Sequence, residues 1–507
     1  MDHILSVDLG TTAIKVALFD SGGKLAASST QEYTLLTPSA LEVELPVETY
    51  WQAFKRGVSE VLGRSRVKPV SSIRALGISA QGETLIFAGR DGEPLRNAIV
   101  WLDNRAQKEA QTLNREFPEK QTYRVTGQVS IVPTWPAAKV LWVQDNEPEV
   151  FARADKILLI EDYFLHRLTG SYACEGSLVC STVYWDINTR KWWPDMLRRL
   201  KIDEGRLPPV RESGEPVGTI LPEVAGELGL SAETVVCTGA LDQAAGAIGV
   251  GNIRPGVFSE NTGAALAICA TVDHPVFDPQ GRMPCHYHGL PGTYMCHTFT
   301  TGGIVLKWYR DRFCEPEIQV GAQAGLDAYE LLGREADRVA PGAEGLVMLP
   351  HLQGAMAPEA NPKAKGVLYG ITLRHTKAHV ARAIMEAIAC IVRRNIEVVE
   401  ELGIRVSEIR GLGGGSRSAV WNQIKADLTG RPVLTMQSEE AACLGAAIVA
   451  GVGVGLFRSL PEACGRMVQV RGRHEPDPDR AKAYSAHYAR YVQLYDSLVG
   501  MFAGELA

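Results

Sequence analysis

The residues best suited to chemistry fall in a few glycine- and threonine-rich turns and at one isolated carboxylate. DLGTT at 8–12 lies between two apolar runs. Gly10 lets the backbone turn tightly, so that successive N–H groups can face an anion. Thr11 and Thr12 add hydroxyl donors, and Asp8 can hold a magnesium ion directly or through water. Lys15 adds positive charge, unless it faces solvent from mid-strand. The same segment also reads as an ordinary hairpin turn. SENTG at 259–263, with Thr262 and Gly263, offers a second clamp for phosphate. GLGGGS at 411–416 supplies Gly413, Gly414, Gly415 and Ser416 between a strand and a helix, where an anion can approach the backbone and the helix N-terminus. The Walker sequence G-x-x-x-x-G-K-[ST] does not occur. Asp242 stands in ALDQAAGAIG, among Ala, Gly and Leu, where a charge needs a reason. It either accepts a proton from a reacting hydroxyl or caps the helix that AAGAIG begins.

These turns need strands and helices to carry them. Apolar runs predict strands at 4–7 and 14–19, with a third at 24–29. Helical spacing of Tyr50, Phe54, Val58 and Val61 predicts a helix over 47–62, and a buried strand follows at 75–79. The second half repeats the theme. Strands at 256–260 and 264–269 flank a turn at NTG, a long helix spans 380–402, a strand 408–412 enters the glycine turn, and a helix 418–428 leaves it. This is an α/β layered fold. Each half opens with strand, Gly/Thr turn and strand, which predicts an internal duplication with domains at 1–248 and 249–507. The tail from about 476 reads as a helix whose Ala481, Tyr484, Tyr488, Tyr491 and Leu494 pack into a core.

Composition narrows the class. The chain has 507 residues, too many for one ordinary core. A net charge of −6 argues against nucleic acid as a partner. No apolar stretch reaches membrane-spanning length and the N-terminal apolar run is too short for a secretory signal, so a cytoplasmic protein without a membrane partner is expected. Ten scattered cysteines without a Cys-x-x-Cys pair predict reduced core thiols. His286, His288 and His297 could place two rings on one strand face, but no further ligand spacing supports a metal there.

The sequence resembles the FGGY carbohydrate kinases. GVLYGITLRHTKAHVARAIME at 366–386 fits the family's C-terminal signature, and TWPAAKVLWVQDN at 134–146 nearly meets the N-terminal one, with Thr134 departing from it. DLGTT resembles the first phosphate motif, WLDNR at 101–105 the sugar-contacting motif, and ALDQAAGAIGVG at 240–251 the segment with the catalytic aspartate. GGIVLKW at 302–308 and GGGSRSAVWNQIKAD at 413–427 resemble the nucleotide-binding part. The resemblance implies two actin-like (ribonuclease H-like) domains that close on the substrates and exclude water, ATP and Mg2+ as cofactors, and a homodimer. It implies Asp242 as general base and Gln81, Glu83, Trp101, Asp103, Arg105 and Gln243 as sugar contacts. Gly302, Gly303 and Gln423 join the nucleotide set. Xylulokinases commonly carry Met-His where this chain has Gly82-Glu83, and glycerol kinases Arg-Glu. The surrounding SAQG and LIFAGRDGEPLRNAI are closer to the pentulose branch, so a pentulose such as D-xylulose is the first expectation. A polyol kinase acting on glycerol or erythritol, and an actin-like ATPase working as a chaperone or filament, are the alternatives. SENTG places Asn261 where the family has glycine, which bears on the second phosphate loop.

Overall fold

The computed structural model describes residues 2–65 and 67–504. The chain opens with an antiparallel meander of β1 (His3–Leu9), β2 (Ala13–Asp20) and β3 (Leu25–Glu32). β1 also runs parallel to β4 (Ile73–Ala80). An edge strand, β5 (Pro216–Thr219), is antiparallel to β6 (Val235–Cys237), which is parallel to β4, and the short β7 (Ala240–Leu241) pairs with the far end of β4. The sheet order is β5-β6-β4-β1-β2-β3. Register places Asp8 beside Lys15 on β2 and Ser79 on β4, and Ala240 beside Ser79. Asp8 and Asp242 therefore leave the sheet at the same end, the carboxyl end of parallel strands, where open α/β sheets bind ligands.

β1 and β4 are buried along most of their length, as a sheet covered on both faces requires. On one face lies α1 (Val47–Ser65), which buries Tyr50, Trp51, Phe54, Val58 and Val61 completely. α2 (Pro136–Asn146), α3 (Ile160–Thr169) and α4 (Gly176–Val179) come from the long connection between β4 and β5. α5 (Asp242–Gly249) begins directly after β7.

The second half repeats this order. β8 (Val257–Thr262) is antiparallel to β9 (Ala265–Val272), and the sheet continues through β10 (Cys285–Tyr287) and β11 (Tyr294–Thr301). After α6 (Ile304–Phe313) and α7 (Lys377–Glu401), β12 (Glu408–Leu412) pairs in parallel with β8. α8 (Ala419–Thr429) leads to β13 (Val433–Met436), parallel to β12, then α9 (Ala441–Gly453), edge strand β14 (Val470–His474) and α10 (Pro478–Ala503). The order β10-β11-β9-β8-β12-β13-β14 matches the first sheet's meander joined to parallel strands. The turn expected at 261–263 is shorter than the sequence suggested, because Asn261 and Thr262 still pair with Ala267 and Leu266.

α5 and α9 pack together between the sheets at glycine contacts. A Cβ on Gly445 would lie 1.8 Å from the Ala245 carbonyl oxygen, and one on Gly249 would lie 1.9 Å from that of Ala441. α9 also rests on the first sheet, with Ala446 O 2.2 Å from where a Cβ on Gly77 would be. In α10, Tyr484, Tyr488 and Tyr491 are buried in the core. All ten cysteines are buried free thiols. His286 and His297 sit with ring centroids 5.1 Å apart, whereas His288 falls beyond the end of β10. Among the described residues no group of three or more His, Cys, Asp and Glu side chains is placed to hold a metal, and no helix is long and apolar enough to cross a membrane.

Candidate active site

The β1–β2 turn is built by hydrogen bonds to its own backbone. Gly10 N–H donates to Ala13 O at 3.1 Å, and Tyr33 OH donates to Gly10 O. A Cβ on Gly10 would lie 2.8 Å from Ala13 O, so only glycine fits there without a shift. Thr12 is exposed at the tip, while the Thr11 hydroxyl accepts the Trp101 indole N–H at 2.8 Å. The phosphate-type turn is thus tied directly to the WLDNR segment.

Between the domains lies a cleft of about 220 Å³. Asp8, Lys15, Asp242 and Gln243 line it from the first half, and Asn261, Gly413 and Glu440 from the second. Lys15 Nζ bridges the halves to Glu440 at 3.0 Å. Burial pulls the Lys15 ammonium down, but Glu440 and then Asp8 outweigh it and leave its pKa raised. Asp8 accepts a 2.8 Å hydrogen bond from Ser79 Oγ, yet burial holds its carboxyl above the usual range. Burial, then the neighbouring charges of Asp8 and Glu83, push Asp242 up to about 8. Leu241, rather than Asp242, occupies the N-cap position of α5, and Asp242 accepts from Gln243, whose N–H lies at 2.6 Å and whose side chain also donates to it. Two carboxylates lining one polar cleft, both held up chiefly by burial, suit a hard divalent cation with oxygen ligands, which would favour their charged forms.

The residues expected to meet a sugar lie on segments that the fold ties together. Gln81 N–H donates to Leu9 O at 3.0 Å, and its side chain is buried against Tyr50 OH at 3.2 Å. Glu83 has a left-handed backbone, φ 55°, the kind of local strain that collects at functional sites. Burial raises its carboxyl, against a hydrogen bond from Ser181 and the charge of Lys139. Lys139 of α2 is fully buried and donates to the carbonyls of Val100 at 2.9 Å, Glu83 at 3.2 Å and Trp101 at 3.4 Å. Those acceptors take all three N–H bonds of an ammonium and hold the 81–84 and 100–103 segments together.

Asp103 and Arg105 are placed differently from expectation. Asp103 has no exposed surface, accepts the Val43 N–H at 2.6 Å and is forked by the Arg105 guanidinium at 2.8–3.0 Å. Arg105 also pairs with Glu44 at 2.8 Å and stacks over Trp142 at 4.8 Å. Both are committed within the protein and orient the WLDNR loop, leaving Trp101 as its member beside the phosphate turn.

Of the glycines expected to meet a nucleotide, Gly413 and Gly415 are required by the β8 turn. Cβ atoms there would lie 2.4 Å from Asn261 Oδ1 and 2.6 Å from Thr262 Cβ, whereas one on Gly414 meets nothing within 4 Å. Gly303 N–H donates to Gly263 O at 2.8 Å, and a Cβ on Gly302 would lie 2.4 Å from Ala265 C, which seats the start of α6 against the same turn. The Thr262 hydroxyl, expected to meet phosphate, instead donates to Glu260 and accepts from Lys425 at 3.0 Å. Lys425 and Glu260 form a 2.5 Å ion pair with both side chains fully buried. Ser416 Oγ donates back to Gly413 O at 2.7 Å. Gln423 points away from the cleft, to Asp427 at 2.7 Å and Glu475 O at 2.8 Å. Sequence reasoning missed Lys425, Glu260 and Glu440. A lysine inside the apolar WNQIKADL run was the one available signal.

The N-terminal domain of the FGGY family of carbohydrate kinases matches residues 3–249, and the C-terminal domain of that family matches 266–454. The xylulose kinase of Escherichia coli (strain K12) is 31% identical over 98% of this chain and 100% of its own. The gluconokinase of Bacillus subtilis (strain 168) is 29% identical over 97% of this chain and 95% of its own. The ligand-bound crystal structure of xylulose kinase from Lactobacillus acidophilus superposes with a TM-score of 0.89 at 27% identity, covering 100% of both chains.

Proposed function

Because this chain belongs to the FGGY family of carbohydrate kinases, we propose that it moves the γ-phosphate of ATP to a hydroxyl of a small neutral sugar, a pentulose such as D-xylulose first. The observation that carries this is the interdomain cleft, where Asp8, Lys15 and Asp242 face Asn261 and Gly413. Asp242 is the general base, taking the acceptor proton as the new O–P bond forms. Gln243, Glu83, Gln81 and Trp101 hold the acceptor. The backbone of the Gly10–Thr12 turn, Gly263 and the Gly413–Gly415 turn cradle the phosphates, and Lys15 adds charge. Mg2+, held by Asp8 directly or through water, supplies charge neutralisation of the phosphates when bound. A cytoplasmic homodimer remains part of this reading.

Charge favours a neutral acceptor. The basic groups beside the acceptor segments are committed elsewhere: Arg105 pairs with Asp103 and Glu44, and Lys139, held down to about 7 by burial, donates to three carbonyls. Beside them lies the Glu83 carboxyl, held above its usual range by burial. A sugar acid such as gluconate would set like charge against the ionised form of Glu83 and would find no uncommitted cation there, so its kcat/KM is expected below that of the best neutral substrate.

The test is ADP release with Mg-ATP against D- and L-xylulose, D- and L-ribulose, glycerol, erythritol, gluconate and hexoses, with Asp242→Ala alongside. One strong neutral substrate, lost by about 100-fold or more in the variant, supports the reading. A preference for glycerol or erythritol would move it to a polyol kinase. ATP turnover that ignores every sugar and the variant would leave an actin-like ATPase.

A further inference from the structure

Asp242 is delivered to the cleft by the short segment 238–241, and two fully buried carboxylates from outside the cleft hold that segment. Glu161 of α3 accepts the Gly239 N–H at 2.7 Å. A Cβ on Gly239 would lie 1.6 Å from Ile78 O, so the chain passes there in direct backbone contact with β4. The second attachment is a relay. The Leu241 N–H donates to Ser177 Oγ at 2.9 Å, and the Ser177 hydroxyl donates to Glu175 Oε1 at 2.7 Å. Glu175 also accepts the N–H groups of Ser177 and Leu178, both at 2.7 Å, and Ser213 Oγ at 2.9 Å. Glu175 and Ser177 have no exposed surface. Capping the single turn of α4 accounts for the two backbone bonds. It does not account for a hydroxyl relay that crosses to the residue preceding Asp242.

We infer that Glu175, acting through Ser177, is a positioning device for the base. It fixes the backbone of Leu241, and so sets where the Asp242 carboxylate meets the acceptor hydroxyl. Without the serine hydroxyl the buried Leu241 N–H has no partner, and the segment can relax by fractions of an ångström, enough to misalign a proton acceptor. The inference rests on Asp242 being the base.

Ser177→Ala and Ser213→Ala separate the roles, because each removes one hydroxyl from Glu175 but only the first cuts the link to Leu241. Ser177→Ala should lower kcat about tenfold or more while KM for ATP and for the sugar stays within about twofold. Ser213→Ala should keep the parent kcat even where its melting temperature falls as far. Glu175→Gln, which conserves volume but offers one acceptor oxygen fewer, should lose kcat in the same way as Ser177→Ala. Parent-like kcat in Ser177→Ala and Glu175→Gln, or equal losses in the two serine variants, would overturn the relay. Asp242→Ala is measured beside them. If Asp242→Ala loses kcat while Ser177→Ala and Glu175→Gln keep it, the relay fails and the base stands; if Asp242→Ala stays active, the base itself is misassigned.

Discussion

Asp242 sits where its charged form is least favoured, and that has two measurable consequences. Its carboxyl is pushed up to about 8 by burial, Asp8 and Glu83, from an ordinary 3.8. In its proposed role as base Asp242 works ionised, so kcat/KM should rise along an acid limb as pH increases. Asp8→Asn removes one of the charges that retain the proton and should move that limb to lower pH, even as turnover falls. Stability runs the other way. The folded pKa lies above the unfolded one, so the stability Asp242 contributes is complete below about pH 4 and is lost as pH climbs towards 8. Asp242→Asn does not titrate. Its melting temperature should therefore gain on the parent between pH 4 and pH 8, and a difference independent of pH would show that Asp242 titrates alike folded and unfolded. That Asp8 and Asp242 line one cleft agrees with their conspicuousness in the sequence, where each is a lone carboxylate in apolar or glycine-rich surroundings. Asp103, Arg105 and Thr262 were not legible in that way, because residue type does not reveal partners. Glu44 lies 61 positions from Arg105, and Lys425 lies 163 from Thr262.

At the scale of elements, β8 is tied to α8, the helix that leaves the glycine turn after β12, by the buried Glu260–Lys425 pair and by Thr262. Removing one member strands a buried charge, which costs about 3–5 kcal/mol. Lys425→Met should be strongly destabilised and should raise KM for ATP more than KM for the sugar. Adding Glu260→Gln should recover much of the stability, since the unpaired charge is then gone. Calorimetry and initial rates on the two variants test this, and a double variant no more stable than Lys425→Met would mean the pair is not the main bond between β8 and α8. The glycine turn gives a second contrast. Gly413 has φ 69° and Asn261 Oδ1 against it, while Gly414 faces open space, so Gly413→Ala should weaken ATP binding through backbone distortion. Gly414→Ala should fold like the parent and reveal only what a nucleotide loses when a methyl enters its side of the turn. Thermal melts with and without ATP separate the two. These elements were largely readable. The pattern gave α1, the 408–412 strand and the long helix α7 to within a few residues, although only α1 buries a single face, since α7 is buried on all sides from Ala381 to Val392. The fates of individual glycines were not, because they depend on which backbone comes close from elsewhere in the chain.

The whole molecule depends on α5 and α9, and neither the place nor the tightness of their contact could be read from the chain. α9 follows a strand of the second sheet yet lies on the first, with Ala446 O against Gly77. Its Ala-Gly composition gives no amphipathic stripe that would reveal which sheet it covers. The two helices meet backbone to backbone, so the geometry of the cleft is set by glycines that never touch a substrate. Gly445→Ala would put a Cβ 1.8 Å from Ala245 O, a contact that side-chain rotation cannot relieve. The helices must separate, and Asp8 and Asp242 must move relative to Asn261 and Gly413. The expected result is a fall in kcat/KM for both ATP and sugar of about 100-fold, the scale at which a small misplacement acts, with a lower melting temperature. Gly465→Ala, on a helix where a Cβ meets nothing within 4 Å, is the control and should melt at or slightly above the parent with unchanged kinetics. If Gly445→Ala lost stability while both KM values and kcat stayed at parent levels, the α5–α9 contact would be a support for the fold alone. If both substrates were affected together, the contact would be what keeps base and phosphate turns in register when the domains close.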